Sequence, residues 1–122
     1  MTAARPNFRK RGYTTRWDKA AANFRRQHPY CLGCQAIGRV MPTELVDHVE
    51  PHKGDQSKFW NTALWQPSCR WHHDVIKKQL EALFERGECT LADLWLSSAL
   101  GITLSRKRPP PQTTGADGWP MG

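Results

Sequence analysis

Two short spacings govern how this chain can close on itself: Cys31-Leu-Gly-Cys34 and Cys69-Arg-Trp-His72. Each offers two ligand side chains from a single turn. Together they supply four soft or borderline ligands, a set suited to tetrahedral Zn²⁺. The 34 residues between Cys34 and Cys69 then close as a loop over the ion. Zinc binding by small fingers is worth roughly 10–16 kcal/mol, enough to decide folding in a short chain with a modest core. Other readings stand beside this one. Cys31 and Cys34 would serve as a redox pair in a thioredoxin-like setting, but no βαβ pattern surrounds them. Cys69 would serve as a buried core cysteine and His72 as a surface histidine. Cys89 has no partner at a useful spacing and reads as a small core residue at a helix junction.

The preference for metal over disulfides depends on the compartment. The N-terminal stretch MTAARPNFRKRGYTTRW lacks the apolar run of a secretory signal, and no segment reaches the length of a membrane span. An intracellular, reducing setting is the expectation, and there spaced cysteines more often bind metal.

The net charge of +7 is unevenly distributed. Residues 1–30 carry +7, residues 31–104 carry −2 and residues 105–122 carry +2. A near-neutral middle with basic ends suits a polyanion, most simply nucleic acid. Solvated, solubilising ends are the plainer alternative.

Three regions follow. Residues 1–14 read as a basic, flexible arm containing Arg9, Lys10 and Arg11. Residues 15–104 form one α+β domain, and residues 105–122, rich in Pro and Gly, form a disordered tail. Within the domain, Thr15 to about Gln27 has Trp17, Ala21 and Phe24 at helical spacing, and His28-Pro29 ends that helix. CLGC forms a turn, followed by a short strand or loop. Residues 43–50 look extended, and Phe59, Trp60, Leu64 and Trp65 form an apolar cluster. Residues 70–86 make the clearest helix, stopped by Gly87. Thr90 to Asp93 resembles a capping box opening a second short helix through about Ala99.

The stretch CRWHHD places two histidines side by side. Neighbours on a helix diverge by about 100°, so the pair has two jobs or one job and a bystander. With His72 on zinc, His73 points elsewhere, and Asp47-His48 at the end of the extended segment is its natural partner. Asp47 and His73 together can hold a divalent cation, leaving the His48 imidazole as a base near pH 7. An Asp-His dipeptide alone is more often an ordinary surface or hydrogen-bonded pair. Its position between the two knuckles is what gives it weight.

The segments CLGC, LVDHVEPHKGD and KFWNTALWQPSCRWHHDVIKKQLE resemble the HNH endonucleases, particularly the small phage- and prophage-type members. The resemblance covers residues 13–86. It implies a ββα-metal (His-Me finger) fold with a structural zinc site, in which a hairpin and a helix clamp a divalent ion at the scissile phosphate. Asp47 and His73 match its metal ligands, and His48 matches the base that activates water. Cys31, Cys34, Cys69 and His72 match its zinc ligands, with His72 where many members have cysteine. The family's asparagine, nine residues before the last histidine, is Leu64 here. Asn61 substitutes for it if the loop is shifted, or else is a turn or cap residue after Trp60.

The expected activity is metal-dependent hydrolysis of DNA, by nicking or double-strand cutting, with Zn²⁺ structural and Mg²⁺, Mn²⁺ or Ni²⁺ catalytic. Lys53, Lys77 and Lys78 are candidate phosphate contacts, and equally ordinary solvated residues. His52 either orients a phosphate, bonds to a site residue or is a surface loop residue. Trp60, Trp65 and Trp71 read as core packing in preference to base stacking. The phage-type resemblance implies a bacterial host cytoplasm and a role beside the large terminase subunit in DNA packaging. A non-catalytic zinc module that binds DNA or protein is the competing function, favoured by Leu64. A redox protein built on Cys31 and Cys34 is a third.

Overall fold

A computed structural model describes residues 14–108. Arg9, Lys10 and Arg11, with nearly all of the predicted arm and residues 109–122 of the predicted tail, lie outside the described residues. Helix α1, Thr15–Gln27, has the predicted bounds. Trp17 and Ala21 are buried on its inner face, Phe24 packs beside them, and the helix stops at His28 before Pro29. The turn at CLGC is a short helix, α2, Leu32–Ala36, in place of a simple turn. The Cys31 sulfur caps it by accepting from the backbone N–H of Cys34.

Strand β1, Leu45–His48, pairs antiparallel with β2, Trp65–Ser68, and Asp47 lies opposite Gln66. The apolar cluster predicted before the second knuckle thus contributes a strand. Its partner is remote in sequence, so local pattern does not reveal it. Between the strands run α3, Gln56–Phe59, capped by Asp55, and a 3₁₀ turn, Thr62–Leu64. The long helix predicted over 70–86 begins at Arg70 and Trp71, passes through a π-helical turn, His72–Lys77, and continues as α4, Lys78–Glu85. Gly87 ends it in the left-handed region at φ +73°, where glycine carries no Cβ penalty.

The C-terminal end differs from expectation. The capping box at Thr90 and Asp93 is present, but it opens only a 3₁₀ turn, Leu91–Leu94. The chain then breaks at Trp95 and restarts as α5, Ala99–Lys107, capped by Ser98. Helix α5 crosses the predicted boundary at residue 104, and Ser105 is fully buried. The Arg, Lys and Pro content of SRKRPPP concealed this, because composition does not register that Leu100 and Leu104 pack on the core. Helix α5 lies hard against the preceding chain. A Cβ on Gly101 would come within 2.9 Å of the Leu96 carbonyl oxygen.

Two apolar cores flank the hairpin. Trp17, Ala21, Val46, Phe59 and Trp65 pack under α1. Val49, Ile76, Leu80, Leu94 and Leu96 join α4 to the C-terminal elements, with Leu64, Trp71 and Cys89 packed against them. Trp65 is core and Trp60 and Trp71 are half-buried against core, as the packing reading expects. Among the described residues no helix is long and apolar enough to cross a membrane.

Candidate functional site

Helix α2 and the first turn after β2 bring the two knuckles together. The sulfurs of Cys31, Cys34 and Cys69 and the Nδ1 of His72 lie within 4.8 Å of one another, all buried. Tetrahedral zinc, with bonds of about 2.3 Å to sulfur and 2.0–2.1 Å to nitrogen, sets ligand atoms about 3.6–3.8 Å apart. Here Cys34 and Cys69 sulfurs are separated by 3.8 Å, and Nδ1 lies 3.4–3.7 Å from the three sulfurs. The four residues fit zinc in distance and in chemistry. Hydrogen bonds from Cys34 and Cys69 pull the Cys31 thiol well below its ordinary range. The bond to Cys31 pushes Cys34 far up and Cys69 up to about 11, with burial adding to both. Without a cation the group thus favours one thiolate, Cys31, and two thiols; a zinc ion among them would let all three sulfurs ionise.

The surroundings hold this arrangement. Backbone N–H groups of Cys34 and His72 donate to the sulfurs of Cys31 and Cys69. His72 presents Nδ1 to the cluster, so its Nε2 carries the proton and donates to Ser105 Oγ at 3.1 Å. Ser105 in turn donates to the Gly101 carbonyl at 2.8 Å. Such a partner holds the ring orientation and tautomer of a metal-bound histidine. Gly33 is required by contact: a Cβ there would sit 2.4 Å from the His72 ring. The glycine inside CLGC was the visible signal for this. Ser105 offered only an i, i+4 pairing with Gly101.

Beside this cluster, β1 and the π-helical turn assemble a second group. Asp47 is 2% exposed, and its Oδ1 accepts from His73 Nδ1 at 2.8 Å. Its Oδ2 accepts from Gln66 at 2.8 Å and lies 3.1 Å from the Lys77 ammonium. Burial works to raise the Asp47 carboxyl, but the His73 bond, Lys77 and Gln66 outweigh it and hold it below its usual value. Gln66 is itself satisfied, since it also donates to Leu94 O and accepts from Leu96 N.

His48 follows Asp47 in the strand, so its side chain turns to the other face. Its ring stacks on Trp17, with centroids 5.1 Å apart and planes 24° apart, and packs against Phe59. Nε2 lies 3.1 Å from the Phe59 carbonyl oxygen. A carbonyl only accepts, so Nε2 holds the proton and Nδ1 keeps a lone pair. Burial, and then the neighbouring His52 ring, lower His48 to about 4 against the pull of Asp47. The imidazole is therefore neutral near pH 7. His48 and His73 line a cleft of about 220 Å³ with Trp17, Ala21 and Arg25. Arg25 is half-buried and forms no ion pair among the described residues.

The structure brings Asp47, His48 and His73 together as the sequence suggests, but other candidates fall elsewhere. Asn61 is exposed at the start of the 3₁₀ turn and its side chain caps nothing. Its backbone takes a turn position after Trp60, its carbonyl accepting from Leu64 N–H at 3.0 Å. Leu64 occupies the core side, with its carbonyl accepting from Val49 N–H at 2.8 Å. Lys77 is not a phosphate contact: its side chain is 1% exposed and ion-paired with Asp47 and Glu81. Lys53 is exposed and paired with Glu85 at 2.7 Å. Lys78 is exposed. His52 accepts from Gly54 N–H in its own loop, and its ring packs edge-on to His48. Phe59, through its carbonyl, and Gln66 and Arg25 were missed. No local pattern marks a backbone oxygen or a cross-strand partner.

Comparison with known proteins returns no matching family model, no matching curated protein and no matching solved structure.

Proposed function

We propose that this chain is a metal-dependent DNA endonuclease of the HNH kind, with β1, β2 and the helix from His72 as its ββα-metal unit. The observation that carries the reading is the state of His48. Its Nε2–H is tied to the Phe59 carbonyl, its ring is neutral near pH 7, and its Nδ1 lone pair is available beside the Asp47–His73 pair. Nδ1 takes the proton from the attacking water. The bond from Nε2–H to Phe59 O strengthens as the ring gains charge, which favours that transfer. Arg25, in the same cleft, offers a cation to the phosphate.

Asp47 and His73 would hold the catalytic divalent ion. Their Oδ1 and Nδ1 atoms are 2.8 Å apart and would share an ion once the proton that now joins them moves to His73 Nε2. Mg²⁺, Mn²⁺ or Ni²⁺ bound there would stabilise charge on the phosphodiester and its leaving oxygen. Gln66 and Lys77 brace the other oxygen of Asp47 and leave Oδ1 to turn toward the ion. The net charge of +7 supports DNA as the partner, and affinity should fall as salt rises. The sequence resemblance adds a place beside the large terminase subunit in the cytoplasm of a bacterial host.

A non-catalytic zinc module is favoured by one observation: every Asp47 oxygen already has a partner within the protein. Supercoiled plasmid separates the two. With Mg²⁺, Mn²⁺ or Ni²⁺ the wild-type chain nicks it, and His48→Ala lowers the rate at least about 100-fold with zinc content unchanged. Binding without nicking under all three metals would sink the endonuclease reading.

A further inference from the structure

Lys77 is a buried cation whose bond to the His48 carbonyl the reaction scheme above leaves without a task. Its ammonium lies 2.7 Å from the His48 carbonyl, 3.1 Å from Asp47 Oδ2 and 2.8 Å from Glu81 Oε2. That is one acceptor for each of its three protons. A buried charge is retained only where it is paired and hydrogen-bonded, and here two carboxylates and a carbonyl meet the condition. The side chain reaches from the π-helical turn to the end of β1, where it touches both members of the Asp47-His48 dipeptide. It holds the side chain of one and the main chain of the other. Leu64 contributes nothing polar at this place beyond its carbonyl.

We propose that Lys77 is the positioning residue of the cleft: its ammonium clamps the His48 carbonyl to the Asp47 carboxylate, and so aims the His48 ring at Phe59 O and Asp47 Oδ1 at His73. Lysine suits the task because a compact ammonium on a flexible stem can satisfy three acceptors that do not share a plane. The kinetic consequence rests on the endonuclease reading; the geometric one does not.

The test uses the zinc-loaded full chain and two variants. Lys77→Met removes the clamp and leaves Glu81 without its partner. Lys77→Met combined with Glu81→Leu removes both charges, so Glu81 is not stranded, and Asp47 keeps its bonds from Gln66 and His73. Zinc per chain is measured first. Long-range ¹H–¹⁵N spectra then read the tautomer of each imidazole, and plasmid nicking gives kcat and KM. The wild-type His48 signal should report the Nε2–H form alone. In the double variant, zinc should stay at one per chain and His48 should become a mixture of tautomers. Its kcat should fall about 100-fold, the effect of a displacement near 1 Å, with KM within about twofold. A double variant that keeps the wild-type His48 spectrum overturns the inference. Loss of zinc from it also does so, since Lys77 would then brace the whole fold. A wild-type chain that nicks nothing counts against the endonuclease alone, and the imidazole spectra still decide the role of Lys77.

Discussion

His72 and His73 are neighbours in the chain, yet they serve regions built in opposite ways. The Cys31, Cys34, Cys69 and His72 cluster is closed, with no member more than 3% exposed. It offers four ligand atoms at tetrahedral spacing and leaves no position for substrate. The Asp47, His48 and His73 group is open on one side. The His73 side chain is 36% exposed, while its partner Asp47 is buried. It places a bonded carboxylate–imidazole pair and a neutral second imidazole on a cleft. A closed set of soft ligands holds a fold together, and an open set of harder ligands beside a base can do chemistry. The two share one helix start, so tension at the first would be felt at the second.

The largest expected effect comes from removing the closed site. A strong chelator, or Gly33→Ala with its methyl driven into the His72 ring, should abolish the cooperative thermal transition. A loss on the order of 10 kcal/mol exceeds the stability of most small domains. Retention of a sharp melt in circular dichroism without bound zinc would break the comparison, because the cluster would then be ordinary core.

A smaller change sharpens it. Ser105→Ala removes the acceptor for the His72 Nε2–H and should weaken zinc affinity about 10–100-fold in competition with a chromogenic chelator. The His48 imidazole spectrum should not change. If zinc affinity is unaltered, Ser105 is packing alone.

The smallest effect concerns acid. His48 titrates lower in the folded chain, at about 4, than its ordinary value of 6.5. Between these values the unfolded chain binds more protons at this site, so stability is present above about pH 6.5 and is lost as pH falls toward 4. Asp47, also held low, adds loss in the same direction at still lower pH. His48→Phe should therefore show a shallower decline in urea midpoint between pH 6.5 and pH 4.5 than the wild-type chain. Equal slopes would mean that zinc release, common to both proteins, accounts for the whole decline.

The Cys31, Cys34, Cys69 and His72 group, which could hold zinc, was legible because metal spacing within a knuckle is a local property: two ligands must leave one turn. Helix α1 was legible for the same reason, since Trp17 and Ala21 repeat at helical spacing and Pro29 follows. The capping box at Thr90 was read correctly, but its helix was not. A cap states where a helical turn can start, while its length depends on packing further along the chain. Lys77 misled because charge predicts exposure in most settings, and nothing near it in sequence announces two buried carboxylates.

The order of residues alone determined which side chains can share a zinc ion, where the first helix begins and ends, and that His72 and His73 must diverge. Tertiary structure alone decided that Ser105 bonds to His72 of the Cys31, Cys34, Cys69 and His72 group, that Gln66 and Lys77 hold Asp47, and that the Phe59 carbonyl sets the His48 tautomer. The division has a physical cause. Helical turns and knuckles are set by contacts a few residues apart, which sequence displays directly. Hydrogen bonds from buried polar groups are set by whichever acceptor the folded chain brings within 3 Å or so, and that partner can lie anywhere along it.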